Sequence, residues 1–128
     1  MPTEAFVYDE SFKAENDLSA KQYYAVELSA ADQVDVCDGA GDIPIGILQN
    51  KPEAGEAAQI RILGRTRAVS DGTAGGGITV GCWVGTDASG KMVKKSANKD
   101  FALGIAMSAS TADGTVIDVL ICPVVLNV

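Results

Sequence analysis

From Lys21 onward, apolar side chains recur at every second position in short runs, and each run stops at a glycine- or aspartate-rich break. A period of two predicts strands with one buried face. Tyr24, Val26 and Leu28 alternate with Ala25 and Glu27; Ser29–Asp32 punctuates; Val34 and Val36 then flank Asp35. Ile43–Gln49 (IPIGILQ) is almost continuously apolar. It predicts a strand covered on both faces or bent at Gly46, beginning at Pro44 or lying at an edge, because proline cannot donate to a ladder. Ala58, Ile60 and Ile62 alternate with Gln59 and Arg61. After the glycine-rich break Asp71–Gly77 come Ile78, Val80, Cys82 and Val84, a turn at Asp87–Gly90, a return over Lys91–Lys95, FALGIAM (Phe101–Met107) and TVIDVLIC (Thr115–Cys122). Glu53–Gln59 and Ser108–Ala112 are alanine-rich but long enough only for single helical turns.

The second half repeats the first. With an offset of 58, Val26 meets Val84, Asp42 meets Asp100, Gly46 meets Gly104 and Ile47 meets Ile105; one residue later in register, Gly55 meets Gly114 and Ile62 meets Ile121. The identities are few, but the order strand–turn–strand–loop–strand–loop–strand recurs. The expected fold class is therefore all-β: a small β-barrel or sandwich of about eight short strands, arranged as two pseudo-repeated four-strand units.

At 128 residues the chain has room for one core. Residues 1–20 read as an extended N-terminal arm outside it, because five acids and one base surround the short apolar knot Phe6-Val7-Tyr8 and no period continues through. Residues 21–128 read as a single β domain with an apolar C-terminal tail. The net charge of −7 disfavours nucleic acid as a partner. No apolar run is long enough for a membrane helix, and the N-terminus lacks the pattern of a secretory signal. Zero histidines remove His-based triads and His-ligated metals. Cys37, Cys82 and Cys122 have no metal or redox spacing and read as free thiols.

Strings that invite chemistry read better as structure. Gly85–Met92 (GTDASGKM) has the glycine–lysine spacing of a phosphate loop, but Met92 stands where a magnesium-binding hydroxyl belongs and no helix follows. Asp87 and Gly90 suit a hairpin loop instead. Lys91-Met92 at a hairpin tip resembles a carrier lysine, but Gly90 precedes it. Asp32, Asp35, Asp38 and Asp42 form either a solvated turn or a weak cation site. A pair such as Asp35 and Asp42 leaves carboxylate-only catalysis as the enzyme alternative. No catalytic residue, cofactor or metal ligand is assigned. Arg61, Arg65, Arg67, Lys91, Lys94, Lys95 and Lys99 carry seven of the ten positive charges and form either a solvated face or a contact surface for an acidic partner.

Two features read as interaction devices. One is the arm, with Phe6, Val7, Tyr8 and Phe12. The other is the run Val116–Val128, which is almost wholly apolar around Pro123 and is buried either against the core or against a sister subunit. Trp83 is either core or an interface anchor. Trp83, Val124, Val125 and Leu126 are thus candidates for an oligomer interface.

The stretch Asn16–Gly64, with D-x-P-I-G-I-L-Q-N at Asp42–Asn50 and A-G-E-A-A at Ala54–Ala58, resembles the DUF2190-type phage capsid cement or head decoration proteins. The likeness continues through Ile78–Lys95, with D-A-S-G-K at Asp87–Lys91, through Asp100–Met107, and ends at Gly114–Ile121. The resemblance implies a β-tulip-like protein on the outer surface of the phage head, made in the bacterial host cytoplasm. It implies the major capsid protein as partner and a homo-oligomer, with a trimer favoured over a dimer. It implies passive clamping without enzymatic activity, with Phe6, Val7, Tyr8 and Phe12 docking on the coat. The alternatives are another structural virion module, such as a tail or fibre component, and a small-ligand-binding β-barrel.

Overall fold

The structure, a computed structural model, describes residues 5–127, and nine strands occupy most of them: β1 (Ala5–Ala14), β2 (Ala25–Ala30), β3 (Gln33–Val36), β4 (Gly46–Leu48), β5 (Ala57–Asp71), β6 (Trp83–Thr86), β7 (Met92–Lys94), β8 (Phe101–Ala106) and β9 (Asp113–Val125). The alanine-rich segments are not helical. The single 3-10 turn among the described residues, Ala74–Gly76, falls in the glycine-rich break.

Pairing closes the strands into two rings that share β5. The order β1-β3-β2-β4-β5 returns through the β1–β5 pairing, and β5-β7-β6-β8-β9 returns through β5–β9. The repeat is visible in the register. Val26 faces Gly46 and Ala25 faces Ile47 in the first ring; Val84 faces Gly104 and Trp83 faces Ile105 in the second. All four residues move by 58 (84 − 26, 104 − 46). The expected four-strand units are five-strand rings because β5 serves both, its last residues taking the place in ring two that β1 holds in ring one: Ala14 pairs with Val34 as Ser70 pairs with Met92.

The recurring glycines follow from this geometry. A Cβ on Gly46 would lie 2.2 Å from the Arg61 carbonyl oxygen, and one on Gly104 would lie 2.1 Å from that of Leu120. Each glycine lets one strand cross tightly over the next, so both runs of the form I-G-I carry it.

Each ring has a core. Ala14, Leu18, Val26, Val34, Leu48, Ala58 and Ile60 fill the first, with Phe12 packed against them. Ala68, Val84, Met92, Leu103, Ile117 and Val119 belong to the second, which also takes Ala25, Cys37 and Ile47 from the outer side of ring one. Each fully buried aliphatic side chain contributes about 1.5–3 kcal/mol before ordering costs. Two backbone bonds stitch the junction: Ala25 N–H donates to Gly90 O at 2.8 Å, and Val69 N–H donates to Tyr23 O at 3.0 Å.

The N-terminal segment differs from its expectation. Ala5–Ala14 is a strand of the first ring, antiparallel to β5 from Ala5↔Arg65 to Lys13↔Ala57 and parallel to β3 at Lys13 and Ala14. Register shifts on either side of Tyr8 break its alternation. Its outward residues are polar, which hid the strand from a periodicity reading. The apolar C-terminal run is likewise ladder: β9 pairs with β5 and β8 along its length, and Leu126 is buried within the chain.

Candidate functional site

Ladder alternation turns one row of each ring outward. In ring two the row runs across Trp83 (β6), Ile105 (β8), Leu120 (β9) and Arg65 (β5), each directly opposite the next. Trp83, Ile105 and Arg65 are half-buried, and Leu120 is 41% exposed. Tyr8 and Leu63, paired across β1 and β5, are 44% and 43% exposed on the same side of β5. Directly opposite residues on one face lie close enough to form a continuous surface. The molecule therefore carries an apolar belt over β6, β8, β9, β5 and β1, of a kind that marks contact surfaces.

The other candidates are placed as follows. Phe12 is half-buried, with one side against the first core. The Tyr8 hydroxyl donates to the Glu10 carboxylate, whose hydrogen bond and charge raise the phenol above its ordinary range. The side chains of Phe6 and Val7 lie outside the described residues; their backbone is part of β1. Val124 is half-buried, Val125 is 57% exposed and Leu126 is 7% exposed.

Much of the basic set is committed within the chain. Arg61 grips Asp9 with two nitrogens, Nε to Oδ1 at 2.9 Å and Nη2 to Oδ2 at 3.2 Å. Arg65 pairs with Asp118 at 3.2 Å and Lys91 with Asp113 at 2.8 Å. Lys91 is raised above its ordinary range, chiefly by that hydrogen bond. Asp87 Oδ1 accepts the N–H groups of Ser89 and Lys91 while Gly90 sits at φ 81°, so GTDASGKM is the β6–β7 hairpin. Lys94 and Lys99 are exposed: Lys94 is paired with Val84, and Lys99 N–H donates to Leu126 O.

A shallow, open groove of about 400 Å³ lies at the far end of ring one, bordered by Phe12, Lys13, Asp32, Gly55, Glu56 and Ala57. Near it Leu28 is 54% exposed on β2.

The four aspartates of residues 32–42 do different work. Asp42 Oδ2 accepts the N–H groups of Asp38 and Gly39 at 3.0 and 2.8 Å, closing a turn. Asp35 accepts from the Asn16 amide at 3.0 Å. Sequence reasoning missed Glu27, whose carboxylate lies with those of Asp42 and the thiol of Cys37 inside 4.8 Å. Burial first, then the Asp42 carboxylate, pushes Glu27 up to about 7. Burial also acts to raise Asp42, but the N–H groups of Asp38 and Gly39 and the Glu27 carboxyl hold it below the ordinary range. Burial pushes the Cys37 thiol up to about 12. At neutral pH this trio offers a protonated thiol and a shared carboxyl proton, a poor set for a cation that needs deprotonated ligands.

The two rings thus form a β scaffold that carries apolar and aromatic side chains on its outer faces. The phage cement protein model matches residues 7–121, and the chain belongs to that family of phage structural proteins. Among solved structures, the chain is similar to the head fiber gp8.5 N base of bacteriophage phi29, with 15% identity and a TM-score of 0.65 over 90% of this chain and 93% of that one. At that identity the likeness is one of fold. None of the curated proteins compared with the chain matches it.

Proposed function

We propose that the protein decorates the outside of an assembled phage head and stabilises the shell by bridging coat-protein subunits. The family match over residues 7–121 carries this reading. The outward belt supports it physically, since exposed aromatic and aliphatic side chains on rigid strands pre-pay little ordering cost on docking. Tyr8, with Phe6 and Val7, is the proposed coat contact; Phe12, expected to join them, is paired with Ala58 and packs on the first core. Because β1 is built into the first ring, these residues act from a fixed strand. Trp83, Val124 and Val125 are the proposed self-contact, in a small homo-oligomer with a trimer favoured. Several modest sites on one oligomer raise avidity without any new contact, and neighbouring coat subunits can then separate only by breaking them together.

The test is co-sedimentation of purified protein with mature heads that lack it. Saturable binding to heads and none to tails is expected. Binding to isolated tails alone would favour the tail-component reading, and binding to neither would overturn both.

A further inference from the structure

The internal repeat contains a docked pair of rings, and each half of that contact is present a second time, uncovered. Within the chain, the outer side of ring one (Ala25, Cys37 and Ile47) packs onto the mouth of ring two, and all three are fully buried. That mouth is the β6–β7 hairpin, where Thr86 is 1% exposed and Gly90 approaches Val36 and Ala25 too closely for a Cβ. The 58-residue offset carries Ala25, Cys37 and Ile47 to Trp83, Lys95 and Ile105, which lie half-buried on the outer side of ring two. It carries Thr86 and Gly90 back to Leu28 and Asp32, at the mouth of ring one. There Leu28 is 54% exposed, and the groove beside Phe12 is open.

We propose that the Trp83 face of one copy docks into the Phe12–Asp32 groove of a second copy, repeating between molecules the contact that joins the two rings within one. Charge supports the match. Lys95 stands beside Trp83, its N–H donating to Trp83 O at 2.9 Å, whereas Asp32 and Glu56 border the groove, with Lys13 its cation. The two contacts differ in one respect. In ring two the Tyr23–Ala25 backbone is stitched between Val69 and Gly90, while the corresponding atoms of ring one, Lys13 N and Asp32 O, bond directly at 2.9 Å. The contact between copies is therefore made by side chains alone, and it is reversible and concentration-dependent. Because the two surfaces differ, the contact is head-to-tail, and it closes into a ring where the rotation permits.

This deepens the self-contact of the proposed function, but its test uses free protein without capsids, so failure here leaves capsid binding standing. Sedimentation velocity is run on wild type, Trp83→Ala and Ala57→Arg, the last placing a long cation in the groove from an exposed strand position. Wild type is expected to form oligomers that dissociate on dilution, and each variant alone to be monomeric. An equimolar mixture is expected to give heterodimers and nothing larger, because each variant keeps the surface that the other has lost. A wild type that stays monomeric at every concentration would overturn the proposal. So would an Ala57→Arg protein that assembles like wild type, or a mixture that stays monomeric. Circular dichroism of each variant confirms that it is folded.

Discussion

The Asp9 carboxylate and the Arg61 guanidinium meet in a two-toothed pair at 2.9 and 3.2 Å, with side chains only 8% and 10% exposed. Gln59 Nε2 adds a third bond to Asp9 at 2.9 Å. The pair fastens β1 to β5 and so helps to close the first ring. Removing one partner leaves the other charge buried and unpaired, which typically costs about 3–5 kcal/mol. Asp9→Ala should lower the unfolding free energy by about 3 kcal/mol in urea titrations. Deleting residues 1–14 should leave a protein without a cooperative transition, because Ala14 and the β1–β5 ladder go with them.

The paired glycines make a sharper structural prediction. A methyl at Gly46 or Gly104 would sit at 2.2 or 2.1 Å from a backbone oxygen that cannot rotate away. Gly46→Ala and Gly104→Ala should each destabilise by at least about 2 kcal/mol, as overpacking against fixed backbone does. Gly55→Leu, with open space around its Cβ but φ at 84°, should cost less, from backbone strain alone. Thermal unfolding of the three variants distinguishes these cases.

Glu27 makes stability depend on pH. Its folded value of about 7 lies above its ordinary 4.5, so the folded protein holds the proton more tightly than the unfolded chain. Its stabilising contribution is complete below about pH 4.5 and is lost as pH rises to about 7. Asp42 is held low and works in the opposite sense, losing its contribution only as pH falls below the usual carboxylate range. Glu27→Gln, which keeps the shape and a donor towards Asp42, should be more stable than the parent at pH 8 and close to it at pH 4.5. Denaturant midpoints across that interval check the sign.

Cys37 should be inert in the native protein. Its thiol is fully buried and pushed up to about 12, chiefly by that burial, so almost no thiolate exists at pH 8. Mass spectrometry after alkylation at pH 8 should find Cys37 unmodified until the protein is unfolded. Rapid native labelling of Cys37 would contradict the packing of the ring junction.

The fold was legible wherever a strand buries one face and wets the other. Val34 and Ile60 stand between polar neighbours, Val26, Val84, Ile117 and Val119 keep the same period of two, and all six are core. The offset of 58 found the register of both rings, and Asp87 with Gly90 located the β6–β7 hairpin. One strand was misread and half of another went unassigned, each for a physical reason. β1 sets Glu10 opposite Ile60, on the face that carries Phe12 and Ala14 to the core, so a charge stands where a periodicity reading expects an aliphatic residue. The second half of β5 turns Gly64, Thr66, Ala68 and Ser70 inward, small or polar residues that give no hydrophobic signal. Their polar atoms are satisfied by partners remote in sequence: Gln49 donates to Thr66 Oγ1 at 2.8 Å, and Ser70 donates to Thr115 O at 2.7 Å. The surface was less legible. Trp83 and Leu120 are distant in the chain, and only the ladder through Ile105 puts them in one row.

The central claim is that bound copies hold the shell together. The most direct measurement is genome release on heating, followed with a DNA-binding dye, from particles made without the protein and from the same particles after purified protein is added back. The undecorated heads should release DNA at a lower temperature, and saturating protein should restore the higher one. Equal release temperatures at full occupancy would contradict the clamping mechanism.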